Sequence, residues 1–325
     1  MRSRTMVEAL NEALLQAMEQ DEAVVILGED VGLAGGVFRV TDGLLDRFGP
    51  GRVVDTPLAE SAIVGVAVGM AAYGLRPVAE IQFAGFLYAA LDQMAAQAAR
   101  LRARSGGRFT APLVVRAPYG GGVRAPELHS DSVEALLCHT PGLKVVVPST
   151  PAEAKGLLLA SIFDPDPVVF LEPMPLYRAT REEVPEEPYR VPLGHARVAC
   201  PGRHVTVAAW GAMVPLGLRA AEELAGEGVE LEVIDLRTLI PLDSDTLLGS
   251  VRKTTRLVVV HEAPGTAGFG AELAALVAER ALYHLSAPVV RVTAPDVPYP
   301  APALEDYYLP STARLIRGIR AVLEA

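Results

Sequence analysis

Short apolar runs alternate with helical patterns along the whole chain, and this alternation most constrains how it can fold. In the first half the runs lie at residues 24–27, 77–83, 113–115, 144–147 and 168–171, and in the second half at 205–210, 231–234, 257–260 and 289–293. Helical spacing of apolar residues lies between them, most clearly at 84–104, 151–162, 215–226 and 270–283. Strands separated by helices are typical of a mostly parallel sheet covered on both faces. We therefore predict an α/β fold.

The alternation is interrupted once, and the interruption divides the chain. Residues 181–194 crowd together glutamates and prolines, a composition typical of an extended linker. A chain of 325 residues is also long enough for two domains. We predict a first domain over residues 1–185, a linker over 186–200 and a second α/β domain over 201–325.

Charge and hydropathy exclude several classes of function. The chain carries 29 basic and 39 acidic residues, a net charge of −10, and no basic stretch stands out for nucleic acid. The longest apolar helical segment, residues 62–72, is too short to span a membrane, and no apolar signal-peptide core follows Met1. Two cysteines form no disulfide framework. We expect a cytoplasmic protein that binds neither nucleic acid nor membrane.

Several familiar motifs are missing. The sequence has no Walker loop, no Cys-x-x-Cys and no His-Glu-x-x-His. After the first predicted strand stands Gly28-Glu29-Asp30-Val31-Gly32, which does not fit the glycine pattern of a dinucleotide site. This disfavours a self-sufficient nucleotide-dependent oxidoreductase, and we predict no metal ligands in this chain.

Glu60 is the first candidate functional residue. It opens a helix that is otherwise apolar for more than one turn. One interpretation is structural, because a carboxylate at a helix start is favoured by the dipole and the free amides. The other is a partly desolvated carboxyl group that shares a proton with a nitrogen of a ligand. The residues alone leave both open.

The second candidate region is residues 120–132, directly after the predicted strand at 113–115. It contains three successive glycines, Gly120 to Gly122, and then His129. The carboxyl ends of parallel strands are where open α/β sheets bind ligands. Glycines let a backbone approach a ligand closely or move as a lid. His129 is the best-placed residue for proton transfer, although a histidine in a polar loop is often merely solvated.

Together, seven blocks of sequence resemble the β subunit of 2-oxo acid dehydrogenases. They occur in the order and at the spacing of that family, from Thr5 to the C-terminus. The blocks are Gly28-Glu29-Asp30-Val31, Asp55-Thr56-Pro57-Leu58-Ala59-Glu60, Glu80-Ile81-Gln82-Phe83, Pro126-Glu127-Leu128-His129-Ser130-Asp131-Ser132, Pro141-Gly142-Leu143-Lys144-Val145-Val146, Val233-Ile234-Asp235-Leu236-Arg237-Thr238 and His261-Glu262-Ala263.

The resemblance implies a thiamine diphosphate enzyme built from two α and two β chains. The β chain would provide a domain that binds the cofactor's pyrimidine, followed by a transketolase C-terminal-like domain that docks on a dihydrolipoyl acyltransferase core. The sequence lacks the Gly-Asp-Gly that begins the usual diphosphate and magnesium motif. By family analogy the α subunit holds the magnesium and shares the cofactor, so this chain is expected to be inactive alone.

The resemblance also implies roles for single residues. Glu60 would hydrogen-bond a pyrimidine nitrogen, and His129 would steer protons during decarboxylation and acyl transfer. The remaining cofactor contacts would be a stacking Phe86, a neighbouring Gln82, the backbone of Leu58 at the ring edge, and Glu29. Some relatives hold potassium near the segment matching 161–166. Asp166 stands where a branched-chain relative has Asn, and no ion is assigned here.

The substrate is the least determined part. Gly85-Phe86 and the block ending in His129 favour pyruvate, whereas Glu172-Pro173 also matches enzymes of branched-chain 2-oxo acids such as 2-oxoisovalerate. Acetoin dehydrogenases share the same blocks. A non-catalytic docking subunit is an alternative of another class, but the presence of both Glu60 and His129 argues against it.

Overall fold

The computed structural model describes residues 1–325. Its strands are β1 (Arg2–Arg4), β2 (Val24–Gly28), β3 (Val53–Asp55), β4 (Arg76–Glu80), β5 (Val114–Tyr119), β6 (Lys144–Val146), β7 (Val168–Pro173), β8 (Glu182–Val184), β9 (Arg197–Cys200), β10 (Val205–Ala209), β11 (Leu231–Asp235), β12 (Thr238–Ile240), β13 (Leu257–Pro264) and β14 (Val290–Ala294). Its α-helices are α1 (Met6–Gln20), α2 (Leu44–Phe48), α3 (Glu60–Ala72), α4 (Leu87–Asp92), α5 (Leu101–Arg104), α6 (Glu134–Cys138), α7 (Pro151–Ile162), α8 (Met213–Ala225), α9 (Ser244–Thr254), α10 (Phe269–Arg280), α11 (Glu305–Tyr308) and α12 (Thr312–Glu324).

Six strands of the first half of the chain, with β12 from the second half, form a seven-stranded sheet in the order β12-β6-β7-β5-β4-β2-β3. Every neighbouring pair from β6 to β3 is parallel, which confirms the α/β prediction. Helices α1 and α7 pack on one face, and α3 and α4 lie on the other. With both faces covered, the strands are apolar along their length rather than alternating.

Local signals explain where α1 begins. Thr5 Oγ1 accepts a hydrogen bond from the Glu8 amide at 3.3 Å, and Glu8 Oε2 accepts one from the Thr5 amide at 2.7 Å. This reciprocal capping satisfies two amides that the helix itself leaves free. The buried face of α1 then follows the spacing of Met6, Leu10 and Leu14.

The second half forms a five-stranded sheet in the order β14-β13-β10-β11-β9. All of its pairs are parallel except β9 with β11. Strand β9 lies at the end of the segment predicted as linker, so residues 197–200 belong structurally to the second sheet. The exact boundaries at 185 and 200 stay predictions.

One segment crosses between the halves. After β11 the chain returns to the first sheet, where β12 pairs antiparallel with β6. The largest apolar cluster is continuous across this contact and contains residues of both sheets, such as Val145 and Val169 of the first sheet and Ile234 and Val259 of the second. The two sheets therefore share a core.

The segment predicted as one helix at 84–104 is helical but irregular. A 3₁₀ turn at Ala84–Phe86 leads into α4, and a π turn at Gln93–Gln97 and a second 3₁₀ turn at Ala98–Arg100 precede α5. The backbone of Gly142 lies against this segment, so close that a Cβ there would be 2.1 Å from the Ala99 carbonyl oxygen. Apolar spacing predicts the extent of a helix, but such a tertiary contact changes its pitch.

No helix in the structure combines the length and the apolar character that a membrane crossing requires.

Candidate functional site

Strands β2, β3, β4 and β5 are parallel neighbours, so their carboxyl ends meet at one edge of the first sheet. Glu29 and Asp30 follow β2, the turn after β3 leads to Glu60, and Gln82 follows β4. The loop of residues 120–132, here called the His129 loop, follows β5. The topology therefore brings four of the predicted site residues to the same edge.

Glu60 is the first residue of α3. The preceding Ala59 provides no side-chain cap, so the first amides of the helix are available to an acceptor. Burial raises the pKa of Glu29, and the nearby negative charges of Glu60 and Asp30 raise it further. Glu29 and Glu60 thus lie in one acidic neighbourhood, in which Glu29 holds a proton more readily than it would in water.

The polar side chains beside these glutamates are fixed by hydrogen bonds. Gln82 Nε2 donates to Asp30 Oδ2 at 3.1 Å. Asp55, at the end of β3, accepts from the Gly32 amide at 2.6 Å and from the Leu33 amide at 3.2 Å. These bonds tie the turn after β2 to its two neighbouring strands.

His129 and Phe86 are in contact, as residues of one site must be. Their ring centroids are 5.1 Å apart, and Phe83 lies 4.4 Å from the histidine ring. His129 Nδ1 lies 3.1 Å from the Glu127 carbonyl oxygen, which can only accept. Nδ1 therefore carries the hydrogen, and Nε2 is left to exchange a proton with a ligand.

Leu58, in the turn between β3 and α3, is the most exposed of the predicted site residues, and 76% of it is accessible. A role in binding would therefore concern a molecule that approaches from outside the chain.

The sequence interpretation missed a buried ionic group under the same sheet edge. Arg116 on β5 donates to both carboxylate oxygens of Glu172 at 2.6 and 2.9 Å, and to Glu80 at 2.7 Å. Tyr177 donates to Glu172 at 2.6 Å. A charged residue inside the apolar run of β5 is the signal that could have revealed it, because a buried charge requires a partner.

A second missed group lies between the two halves. Burial raises the pKa of Glu134 to about 7 and that of Glu262 to about 8. Trp210 Nε1 donates to Glu134 at 3.3 Å, and its ring stacks on His261 at 5.2 Å. Burial lowers the pKa of His261 to about 4. The junction therefore contains ionisable groups that prefer their neutral forms.

No group of three or more His, Cys, Asp or Glu side chains is arranged to hold a metal ion. In the segment 161–166, Lys144 Nζ lies 2.7 Å from both carboxylate oxygens of Asp164, and Arg102 Nε lies 2.6 Å from Asp166. Each of these two carboxylates thus has a cationic side chain of this protein beside it.

Comparison with known proteins decides the family. Residues 2–180 match the family described as transketolase, pyrimidine binding domain, and residues 194–315 match transketolase, C-terminal domain. Proteins described as pyruvate dehydrogenase E1 component subunit beta are 54% identical in Staphylococcus epidermidis and 51% identical in Bacillus subtilis, over 324 residues and 100% of both chains. The chain belongs to the E1 β-subunit family of 2-oxo acid dehydrogenases.

A solved structure supports the fold of this E1 β-family chain. It is described as a split gene transketolase, inactive beta4 tetramer, with a TM-score of 0.81, 24% identity and coverage of 98% of each chain. The order of the two matched domains in this chain is the order that the resemblance implies. The roles of Glu29, Leu58, Glu60, Gln82, Phe86 and His129 stay predictions.

Proposed function

We propose that the chain is the β subunit of a pyruvate dehydrogenase first component and works with an α subunit in an assembly of two α and two β chains. The observation that carries the proposal is the full-length identity of 51–54% to pyruvate dehydrogenase β subunits. The partner, the acyltransferase core docked on the second domain and the preference for pyruvate all belong to this proposal.

The residues at the sheet edge fit one side of a thiamine diphosphate site. The partly buried carboxyl groups of Glu29 and Glu60, the amide of Gln82 and the rings of Phe86 and His129 suit a flat heterocycle with exchangeable protons. When bound, the cofactor supplies a carbon nucleophile that lets a 2-oxo acid lose carbon dioxide. The diphosphate and magnesium would be held by the α subunit.

Each of these side chains would then make a specific contact with the cofactor, consistent with its position and hydrogen bonds. Glu60, at the start of α3, would hold a proton against a pyrimidine nitrogen, and Glu29 beside it keeps that neighbourhood acidic. Phe86 would pack on the ring, while Asp30 holds Gln82 in place beside it. Leu58, exposed in its turn, would cover the ring edge.

His129 would move the proton of the acyl-transfer step. Its Nδ1–H is donated to the Glu127 carbonyl oxygen, which orients the ring and leaves Nε2 for the proton of a ligand. The rings of Phe83 and Phe86 exclude water from two of its sides. A positioned histidine of this kind contributes about 10²–10⁴-fold to rate.

The test compares this chain alone with the chain co-purified with the α subunit encoded beside it. Decarboxylation is followed with thiamine diphosphate and magnesium, with pyruvate and 2-oxoisovalerate run side by side. Activity only in the pair, higher with pyruvate, is expected. Activity of the chain alone would contradict the shared site. A higher rate with 2-oxoisovalerate would reassign the substrate, and a complex inactive on both would direct the search to acetoin.

A further inference from the structure

The first two of the three glycines that begin the His129 loop, Gly120 and Gly121, are packed against the second domain. A Cβ at Gly120, where φ is +81°, would lie 2.8 Å from Oε2 of Glu262. A Cβ at Gly121 would lie 2.1 Å from the Tyr299 hydroxyl oxygen. The glycines therefore make room for side chains of the second domain, and the start of the loop has no free space in which to swing.

Two buried carboxyl groups of the second domain accept hydrogen bonds from the backbone of this loop. Glu262 Oε2, on β13, accepts from the Gly121 amide at 2.8 Å. Glu305, at the start of α11, accepts from the Arg124 amide at 3.0 Å and from the Tyr299 hydroxyl at 2.7 Å. Only 5% of Glu262 and 2% of Glu305 is exposed. Buried carboxyl acceptors make strong bonds and are costly to leave unpaired.

The other end of the loop is seated on the first domain. The Leu128 carbonyl oxygen lies so close to Gly85 that a Cβ there would be 2.0 Å away. The next residue, His129, packs its ring against both Phe83 and Phe86. The loop thus spans from two acceptors on the second domain to the candidate site on the first.

Between these anchors the backbone takes an unfavourable path. Arg124 has a φ of +54° and Leu128 a φ of +66°. Side-chain-bearing residues seldom adopt this region, and they keep it only where the surrounding structure holds them. The amide of Arg124 itself donates the hydrogen bond to Glu305. Release of that bond would allow the loop to relax away from its observed course.

We propose that Glu262 and Glu305 are positioning residues for His129. They act from the second domain, through the backbone of residues 121–124, and set where the imidazole stands relative to Phe83 and Phe86. This inference rests on the proposed function, in which His129 transfers a proton. It assigns to the second domain a part in catalysis besides docking.

The test uses the α–β complex and the variants E305A and D306A as a matched pair. Asp306 is the neighbouring acidic residue, but it bonds only the side chain of Arg124 and its own side chain is 74% exposed. In E305A we expect amide hydrogen exchange in residues 121–129 to rise about tenfold, with D306A like the wild type. This readout needs neither cofactor nor turnover.

Kinetics then separate positioning from general damage. In E305A the kcat of acyl transfer to a lipoyl domain should fall about tenfold, whereas the KM for the 2-oxo acid changes by less than about twofold. The variant E262Q keeps an oxygen that accepts from Gly121, so it should retain far more activity than E262A. If E305A fails to assemble, E305M carries the same test, because methionine keeps the length of the side chain but offers the Arg124 amide no carboxyl oxygen.

Two results would overturn the proposal. Unchanged exchange in E305A or E305M would show that the Glu305 side chain does not hold the loop, and raised exchange with wild-type kcat would show that holding the loop does not position His129. Wild-type turnover in H129A, by contrast, would overturn the proposed role of His129 itself. The two failures are therefore distinguishable.

Discussion

The group at the start of α3 combines a feature of the sequence with one that only the fold supplies. Glu60 is recognisable as a carboxyl group that opens an apolar helix. Its neighbour Glu29 is 31 residues earlier and joins it only because β2 and β3 are adjacent and parallel. Each residue has an ordinary local reason to be where it is. Burial raises the pKa of Glu29, and the proximity of Glu60 raises it further, which makes the pair suited to proton chemistry.

E60Q is the most direct residue-scale prediction. The amide keeps the size of the side chain and cannot hold or release the same proton, so turnover of the α–β complex should fall about 10²–10³-fold. Assembly, measured by size-exclusion chromatography with light scattering, should be unchanged. The control is E22Q, which removes the same charge at an exposed site. A turnover of E60Q equal to that of E22Q would refute the role of Glu60.

G85A tests the seat of the His129 loop. The added Cβ would collide with the Leu128 carbonyl group, so the loop must move, and we expect at least about a tenfold loss of turnover. Nothing surrounds Gly249 in α9, and G249A should instead stabilise the protein by about 0.5–1 kcal/mol. Steady-state kinetics and urea unfolding measure the two effects. Full activity in G85A would mean that the contact with Leu128 is not needed.

At the scale of elements, the sequence predicts best those strands that helices cover on both faces of the sheet. The apolar runs at 24–27 and 168–171 lie in β2 and β7, because a strand covered on both faces is apolar throughout. Strand β13 continues past its predicted end at 260 to Pro264, since His261 and Glu262 interrupt the apolar run although both are buried. Hydropathy cannot distinguish a buried polar pair from the end of a strand.

The candidate site likewise contains some residues that the sequence reveals and others that it does not. Glu60 and His129 are detectable because polar groups follow apolar strands at an edge where ligands bind. Glu262 and Glu305 are not, because the amides that they hold lie 141 and 181 residues away in the chain. Strand β12 is likewise only three residues long, and its pairing with β6 depends on the approach of the second domain. Periodicity contains no information about such distant partners.

R116M tests the ionic group that spans β4, β5 and β7. It would leave Glu80 and Glu172 buried without their cation, which costs about 3–5 kcal/mol of unfolding free energy. Urea unfolding should show this loss, and the triple variant R116M/E80Q/E172Q should recover part of it. R102M, which breaks an exposed ion pair with Asp166, serves as the control and should change stability little. A loss in R116M no larger than that in R102M would contradict the interpretation.

At the scale of the whole molecule, the junction between the two halves makes stability depend on pH. Burial raises the pKa of Glu262 to about 8 and that of Glu134 to about 7. Burial and the charge of Glu153 also raise the pKa of Asp235 at the same junction. The folded protein therefore holds more protons on these carboxyl groups than the unfolded chain does.

The sign of the effect follows from this difference. For carboxyl groups with raised pKa the stabilisation is complete near pH 4.5 and is lost as the pH rises through 8. His261 acts oppositely, because its lowered pKa of about 4 makes stability fall from pH 6.5 downwards. We expect the unfolding free energy to decrease between pH 6.5 and 8 in urea titrations, and to decrease less in E262Q. An equal decrease in E262Q would show that Glu262 does not titrate there.

The pairing of β12 with β6 has a consequence for how the chain could be divided. The charged, proline-rich segment at 181–194 looks like a place to cut, but the first sheet takes its last strand from beyond it. Without that strand, the outer amides and carbonyl groups of β6 would face solvent as an open template for other chains. The two halves are therefore not interchangeable modules. A fragment that ends in this segment would be prone to self-association, however complete its own sequence pattern looks.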